Sequence, residues 1–296
     1  MTQDARLSRD ARSFRYYRNA VERHWDPQDV DLTSDAARLD VLTTAEFDAL
    51  RAALAKFGAG EESVTTDLAP LAVVLDDVED QLFLTTQLYE EAKHTDFFDR
   101  YWREVVHEAE RARGLEESSP HEDRWYDDDY VELFDRMETA MHRLLAEDTP
   151  ETRAVAYAHY HLTIEGILAQ TAYYGLQTTY GPDVEGAPHL PGLCAGLDLI
   201  RRDEGRHVGF GMLKLKELVA EGVDPQLLHD TVNELVPLVN GITTAGFDEG
   251  VEPAGPGPND LVAYAAGKHT TRMKQITTAS EAVPDVNELT KLESDD

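Results

Sequence analysis

The chain has 296 residues, 42% of them hydrophobic, enough to bury one large core or two small ones. Its formal net charge of −31, with acidic residues in every segment, excludes the basic stripe that nucleic-acid binding requires. No apolar run approaches the ~20 residues of a membrane span, and the single Cys194 excludes a disulfide framework or a thiolate metal cluster.

Helical periodicity dominates, and alternating β-branched runs are scarce. Residues 1–40 read as an arm with a short helix and an irregular stretch, "HWDPQDVDL". Thr43 and Glu46 form a capping-box pattern that opens a helix through "EFDALRAALAKF". Gly58 and Gly60 are expected to loosen it before the pattern resumes at "EESVTTDLAPL", where Pro70 marks a kink or restart. A long helix is predicted over about 75–112, then a charged loop over 113–127 and a helix over about 128–147. Thr149–Pro150 reads as an N-cap with proline at the first helical position, opening a helix through "YAHYHLTIEGILAQTAYYGLQTTY". After the Gly/Pro loop "GPDVEGAPHLPG" a helix carries "LIRRDEGRHVGFGMLKLKEL", and two more cover about 225–247 and 259–277. The stretch 280–296 reads as a polar, mobile tail. No linker or fixed-period repeat interrupts the chain, so the expected architecture is all-α, one domain over 1–296 built on a helical bundle.

The surplus of carboxylates suits a protein kept soluble in concentrated salt, where self-repulsion is screened. A halophilic host is expected. "MTQDARLSRDARSFRYYR" lacks the apolar core of a signal peptide, so a cytoplasmic location is expected.

Two pairs on two predicted helices carry chemistry: Glu91 with His94, and Glu204 with His207. Residues three apart share one helix face, so each pair can grip one metal ion. Two such pairs, plus one glutamate from each of two further helices, make the two-metal carboxylate site of ferritin-like bundles. Glu165, in the apolar setting "LTIEGILAQ", supplies one extra glutamate. Glu61 or Glu62 supplies the other; neighbouring helical residues diverge by about 100°, so only one can face the metals. A third pair, Glu104 with His107, lies about 220° round the helix from Glu91 and reads as a solvated surface pair. Asp203 is placed to accept a hydrogen bond from a metal-bound histidine and fix its tautomer. Four carboxylates and two imidazoles suit manganese or iron better than zinc. Two redox metals side by side can reduce dioxygen, with a nearby tyrosine as the usual electron donor.

In this order the residues resemble the ribonucleotide reductase small-subunit superfamily. "AGEESVTTD", "EEAKHT", "DEGRH", "NELVPL" and the spacing Y-x4-EG-x-LA from Tyr160 to Ala169 resemble the ligand-binding oxidases that share its fold. The likeness covers about residues 20–275. It implies Glu61 rather than Glu62 as ligand, a manganese/iron centre (or two irons), and an ether joining Val64 to Tyr160 after dioxygen activation. It also implies a long-chain fatty acid with its carboxylate on the metals, Phe98, Ile164 and Leu168 along its tunnel, and Tyr173 as a hydrogen-bond partner near it. A homodimer, and two-electron oxidation of a lipid-like molecule by dioxygen, are further implications. In radical-storing subunits a tyrosine stands where Phe98 stands here. The alternative is therefore a reductase small subunit whose metals hold the oxidant, although the tail "VPDVNELTKLESDD" lacks an aromatic anchor for a large partner. Metal storage is disfavoured, because storage bundles are shorter and assemble into cages.

Overall fold

The computed structural model describes residues 7–247, 253–278 and 281–284. Residues 280 and 285–296 of the expected tail, and 1–6 of the expected arm, lie outside the described residues. Among the described residues there is no strand, and no helix is long and apolar enough to cross a membrane.

The arm contributes α1 (Arg12–Glu22) and three short turns at Pro27–Asp29, Asp35–Arg38 and Leu39–Val41. Then comes α2 (Thr44–Asp67), opened by the predicted capping box: the Thr43 hydroxyl accepts from the Glu46 amide, and the Glu46 carboxylate accepts from the Thr43 amide at 2.8 Å. Gly58 and Gly60, expected to loosen the chain here, lie inside this one continuous helix. They face Phe98 and Phe134, where a Cβ would lie 3.5 and 3.3 Å from those side chains, so the missing side chain is used for close approach. Pro70 restarts the chain in α3 (Ala69–Val74). The predicted long helix is α4 (Val78–Tyr101), which runs through a wide-turned segment, Trp102–Val106, into His107–Ala112. α5 covers Asp128–Arg143. α6 starts at Pro150–Tyr157 under the Thr149 cap, widens to π-type turns over Ala158–Ala169, and finishes as Gln170–Tyr180. α7 (Pro191–Glu221) ends on Gly222 at φ +116, a left-handed position suited to glycine. α8 (Pro225–Thr244) and α9 (Pro258–Thr277) complete the order.

Four helices, α2, α4, α6 and α7, form the central bundle, and α5, α8 and α9 cover its α6 side. The bundle holds two apolar cores. Phe83 and Leu84 of α4, Phe210 and Met212 of α7, Ile167 of α6 and Val64 of α2 belong to one. Phe97 and Tyr101 of α4, Leu197 and Ile200 of α7, Tyr173 of α6 and Leu54 of α2 belong to the other. On α2, α4 and α7 the charged residues singled out from sequence fall between these two apolar stretches. The amphipathic pattern thus changes character in mid-helix, at one common level of the bundle.

Close helix crossings depend on glycine at two points in α7. A Cβ on Gly196 would lie 2.0 Å from Cζ of the fully buried Phe97, and one on Gly211 would lie 2.1 Å from Cβ of His161. Gly196→Ala is expected to cost about 1–3 kcal/mol by overpacking. Gly267→Ala, on an exposed turn of α9 with nothing within 4 Å, is expected to stabilise by about 0.5–1 kcal/mol. Denaturant unfolding of the two variants checks the contrast.

His159, on α6, is buried with an unpartnered Nδ1. Burial, aided by the positive charge of Arg136, pushes its pKa down to about 4 from 6.5. Between those values the unfolded chain carries a proton that the folded chain refuses, so this contribution is complete above pH 6.5 and is lost as pH falls towards 4. His159→Asn is expected to flatten the loss of stability over that window by about one proton, read from unfolding curves at several pH values.

Candidate metal centre

Each of the four bundle helices sends a side chain to the level between the two cores. Glu61 comes from α2, Glu91 and His94 from α4, Glu165 from α6, and Glu204 and His207 from α7. They form two overlapping groups: Glu61, Glu91, His94 and Glu204, and Glu91, Glu165, Glu204 and His207. Within each group one oxygen or nitrogen from every residue lies within 4.8 Å of the others, and all six residues are buried. Glu91 and Glu204 belong to both groups, so their two oxygens can bridge.

The fit to a metal pair can be judged from the orphaned atoms. His94 Nδ1 lies 3.4 Å from oxygens of Glu61 and Glu91 and 3.5 Å from Glu204. His207 Nδ1 lies 3.1, 3.3 and 3.6 Å from Glu91, Glu165 and Glu204. Yet neither nitrogen makes an aligned hydrogen bond, and Oε2 of Glu165 and of Glu204 have none either. Buried polar atoms are normally satisfied. A nitrogen ringed by three oxygens without pointing at any of them is placed as donors are placed round a cation. The set of four carboxylates and two imidazoles, without thiolate, fits manganese or iron.

Electrostatics agree. Burial pushes the Glu61 carboxyl up to about 8 and also raises Glu165 and Glu204, with the charge of Glu204 adding to the rise at Glu165. Burial works against ionised Glu91 as well, but the imidazoles of His207 and His94 overcome it and hold that carboxyl well below its usual range. Burial likewise opposes charge on His94 and His207, and the carboxylates around them, Glu61 first for one and Glu91 for the other, hold both imidazoles well above theirs. Four carboxylates at one dry level repel one another unless cations enter.

The outer nitrogens of the two histidines are held crosswise. His94 Nε2 on α4 lies 3.2 Å from Asp203 Oδ2 on α7, and His207 Nε2 on α7 lies 2.9 Å from Glu90 Oε2 on α4. The buried Arg206 guanidinium donates to both Glu90 and Asp203. Asp203 also pairs with Lys93 at 2.8 Å and accepts from Trp25 Nε1 at 2.8 Å. Asp203 was read from sequence as such an acceptor; Glu90, Arg206, Lys93 and Trp25 were not. A signal existed: "EEAKH" and "DEGRH" share one pattern, acid, Glu, any, basic, His. The acid of each copy serves the histidine of the other.

Other expected residues sort plainly. Glu62 is exposed and lies 3.8 Å from His121, so Glu61 is the member of the pair at the cluster. Glu104 is exposed and paired with Arg100, while His107 Nε2 lies 3.0 Å from the Ser118 carbonyl, both away from the cluster. A cavity of about 850 Å³ reaches the cluster, with Glu61, Glu91, Glu165 and Glu204 on its wall. Val64, Tyr160, Ile164, Leu168 and Tyr173 also line it. Phe98 does not; it stands behind Phe57, its ring stacked on that wall residue at 5.2 Å. The Tyr160 hydroxyl donates to Glu91 Oε1 at 2.8 Å. The Tyr173 hydroxyl is buried without a partner.

The profile of the family "ribonucleotide reductase, small chain" matches residues 8–252. The chain belongs to that family. It is accordingly an oxidoreductase with a two-metal site. Solved structures similar to it include R2-like ligand-binding oxidase in a valine-to-leucine variant with anaerobically reconstituted Mn/Fe cofactor, 30% identical, covering 92% of this chain and 95% of that one at a TM-score of 0.78. A tyrosine-to-phenylalanine variant of that oxidase, again with anaerobically reconstituted Mn/Fe, has the same identity, coverage and score. A glycine-to-leucine variant with non-activated Mn/Mn cofactor is 30% identical over the same shares, at 0.79.

Proposed function

We propose that this member of the small-chain family is a dioxygen-activating oxidase holding manganese and iron, or two irons, through Glu61, Glu91, His94, Glu165, Glu204 and His207. Its first oxidation falls on its own chain and joins Val64 Cβ to the Tyr160 oxygen. One observation carries this reading: the Tyr160 hydroxyl is hydrogen-bonded to Glu91, a member of both metal groups, on a cavity wall it shares with Val64. The valine offers a tertiary C–H, whose loss leaves a comparatively stable carbon radical. Forming the C–O bond removes the Val64 Cβ hydrogen and the Tyr160 phenolic hydrogen, two electrons and two protons in all. Bound metals would supply the other two electrons that dioxygen needs to become water. Glu91 is placed to receive the phenolic proton.

A long-chain fatty acid is the ligand this cavity suits: its carboxylate would meet the metals, and its chain would follow Ile164, Leu168 and Leu176. Tyr173, with no protein partner for its hydroxyl, supports the presence of an oxygen-bearing ligand near the cluster. We read the chain as one domain, working as a homodimer in the cytoplasm of a halophilic host. The second reading, a reductase small subunit without a tyrosyl radical, is favoured by Phe98 and by the line Trp25–Asp203–His94 running outward from the cluster.

Anaerobic loading with Mn(II) and Fe(II), followed by metal counting, is expected to give two metals per chain. Air should then be consumed without any large partner. Uptake of many irons per chain, or dioxygen consumption only with a partner subunit, overturns the oxidase reading. Solvent extraction followed by mass spectrometry is expected to release a long-chain carboxylic acid, and an extract free of one overturns the ligand assignment.

A further inference from the structure

Gln87 and His161 do not belong to the six-residue cluster, and no sequence motif picked them out. Gln87, one turn before Glu91 on α4, is fully buried. Its Nε2 donates to Glu165 Oε1 at 2.9 Å and lies 3.4 Å from both the Tyr160 hydroxyl and Glu91 Oε1. With Glu165 and Glu91 ionised this fixes the sense of the amide, because the opposite sense would set its oxygen against two carboxylate oxygens. Gln87 Oε1 therefore faces His161 Nε2, 3.2 Å away, and that nitrogen must carry the hydrogen.

His161 is held in turn. Its ring lies edge-on to Tyr160 at 4.7 Å between centroids and touches Tyr157 and Phe210. Gly211 leaves room for its Cβ where any side chain would collide. Its Nδ1 has no hydrogen-bond partner, so the contact with Gln87 is the one that orients the ring. The Tyr160 oxygen thus accepts from Gln87 on one side and donates to Glu91, at 2.8 Å, on the other.

Building on the reading of the site as a self-cross-linking oxidase, we infer that Gln87, oriented by His161, is the positioning residue that aims the Tyr160 oxygen and Glu165 for the Val64–Tyr160 bond. The amide gives the phenol oxygen a fixed direction and leaves its proton with one destination, the Glu91 carboxylate, as the C–O bond forms. It also takes up one oxygen of Glu165 and so limits the ways that carboxylate can turn.

The test loads the full-length protein and its Gln87→Leu, His161→Leu and His161→Gln variants with Mn(II) and Fe(II), counts the metals, and admits air. Mass spectrometry then measures the fraction of Tyr160 peptide joined to Val64 at a fixed early time. Gln87→Leu and His161→Leu are expected to keep their metals and lose about tenfold in cross-link rate. His161→Gln, which restores a donor to the Gln87 oxygen, is expected to recover it. Cross-linking in both leucine variants at the unaltered rate overturns the inference. A parent protein that binds both metals and forms no cross-link overturns the reading of the site, and this inference with it. A second readout needs no turnover: ¹⁵N spectra of the metal-free parent should show His161 protonated at Nε2. Protonation at Nδ1 alone reverses the amide and overturns the inference, even where a variant fails to take up metal.

Discussion

An Arg206→Met variant is expected to lose about 3–5 kcal/mol of stability, because it takes the guanidinium from two buried carboxylates, leaving Asp203 with Lys93 and Glu90 with His207. Arg206 has no exposed surface, and its guanidinium reaches both Glu90 and Asp203, with Asn19 at 3.2 Å as a third partner. Those two acids hold the outer nitrogens of His207 and His94. The loss should therefore reach the metals, with affinity falling about 10–100-fold, as it does when groups that orient metal-bound histidines are removed. Arg206→Lys is expected to rescue only part of this: Nη2 donates to both acids while Nη1 holds Asn19, and a single ammonium on a shorter stem cannot keep all three partners. Denaturant unfolding and metal competition against a chelator check both effects. A methionine variant within about 0.5 kcal/mol of the parent would show that the Glu90–Arg206–Asp203 bridge contributes nothing.

Glu204→Leu should have opposite effects on the metal-free and metal-loaded protein. Glu204 belongs to both metal groups, so its loss is expected to empty both positions, with at least ~100-fold weaker loading. In the metal-free protein the same change removes one of four buried carboxylates that burial already disfavours in the charged form. Stability without metal should rise, as it commonly does when a site built for function is relieved of its buried charge. Thermal unfolding with and without Mn(II) separates the two: the parent gains strongly on metal addition, while the variant starts higher and gains little. A variant that starts lower, or still gains like the parent, contradicts the assignment of Glu204 as a shared ligand.

Much of this was legible because it is periodic. The three-residue spacing in Glu91/His94 and Glu204/His207 is a property of one helix, and the structure brings both pairs to one level with Glu61 and Glu165. The capping box at Thr43 and the restart at Pro70 are equally local, and they stand where expected. What escaped depends on two helices at once. Glu90 has no evident role until α7 places His207 beside it, and Gln87 has none until α6 supplies Tyr160, His161 and Glu165. The wide turns of Ala158–Ala169 also escaped, since apolar periodicity does not separate a π-type stretch from an ordinary helix. A local cause is visible there. A Cβ on Gly166 would sit 2.8 Å from the His161 carbonyl oxygen, so glycine leaves space for the altered ladder beside Glu165. The resemblance implies Phe98 on the tunnel, but the cavity wall carries Phe57, on which the Phe98 ring is stacked.

The most direct measurement is peptide mapping of protein loaded with manganese and iron without air and then exposed to it. A branched peptide joining Val64 to Tyr160, lighter by two hydrogens than its parts, is expected in a sample that began with both metals bound. Separate, unmodified peptides from a metal-loaded sample that has consumed dioxygen would contradict the oxidase reading and favour the reductase small subunit.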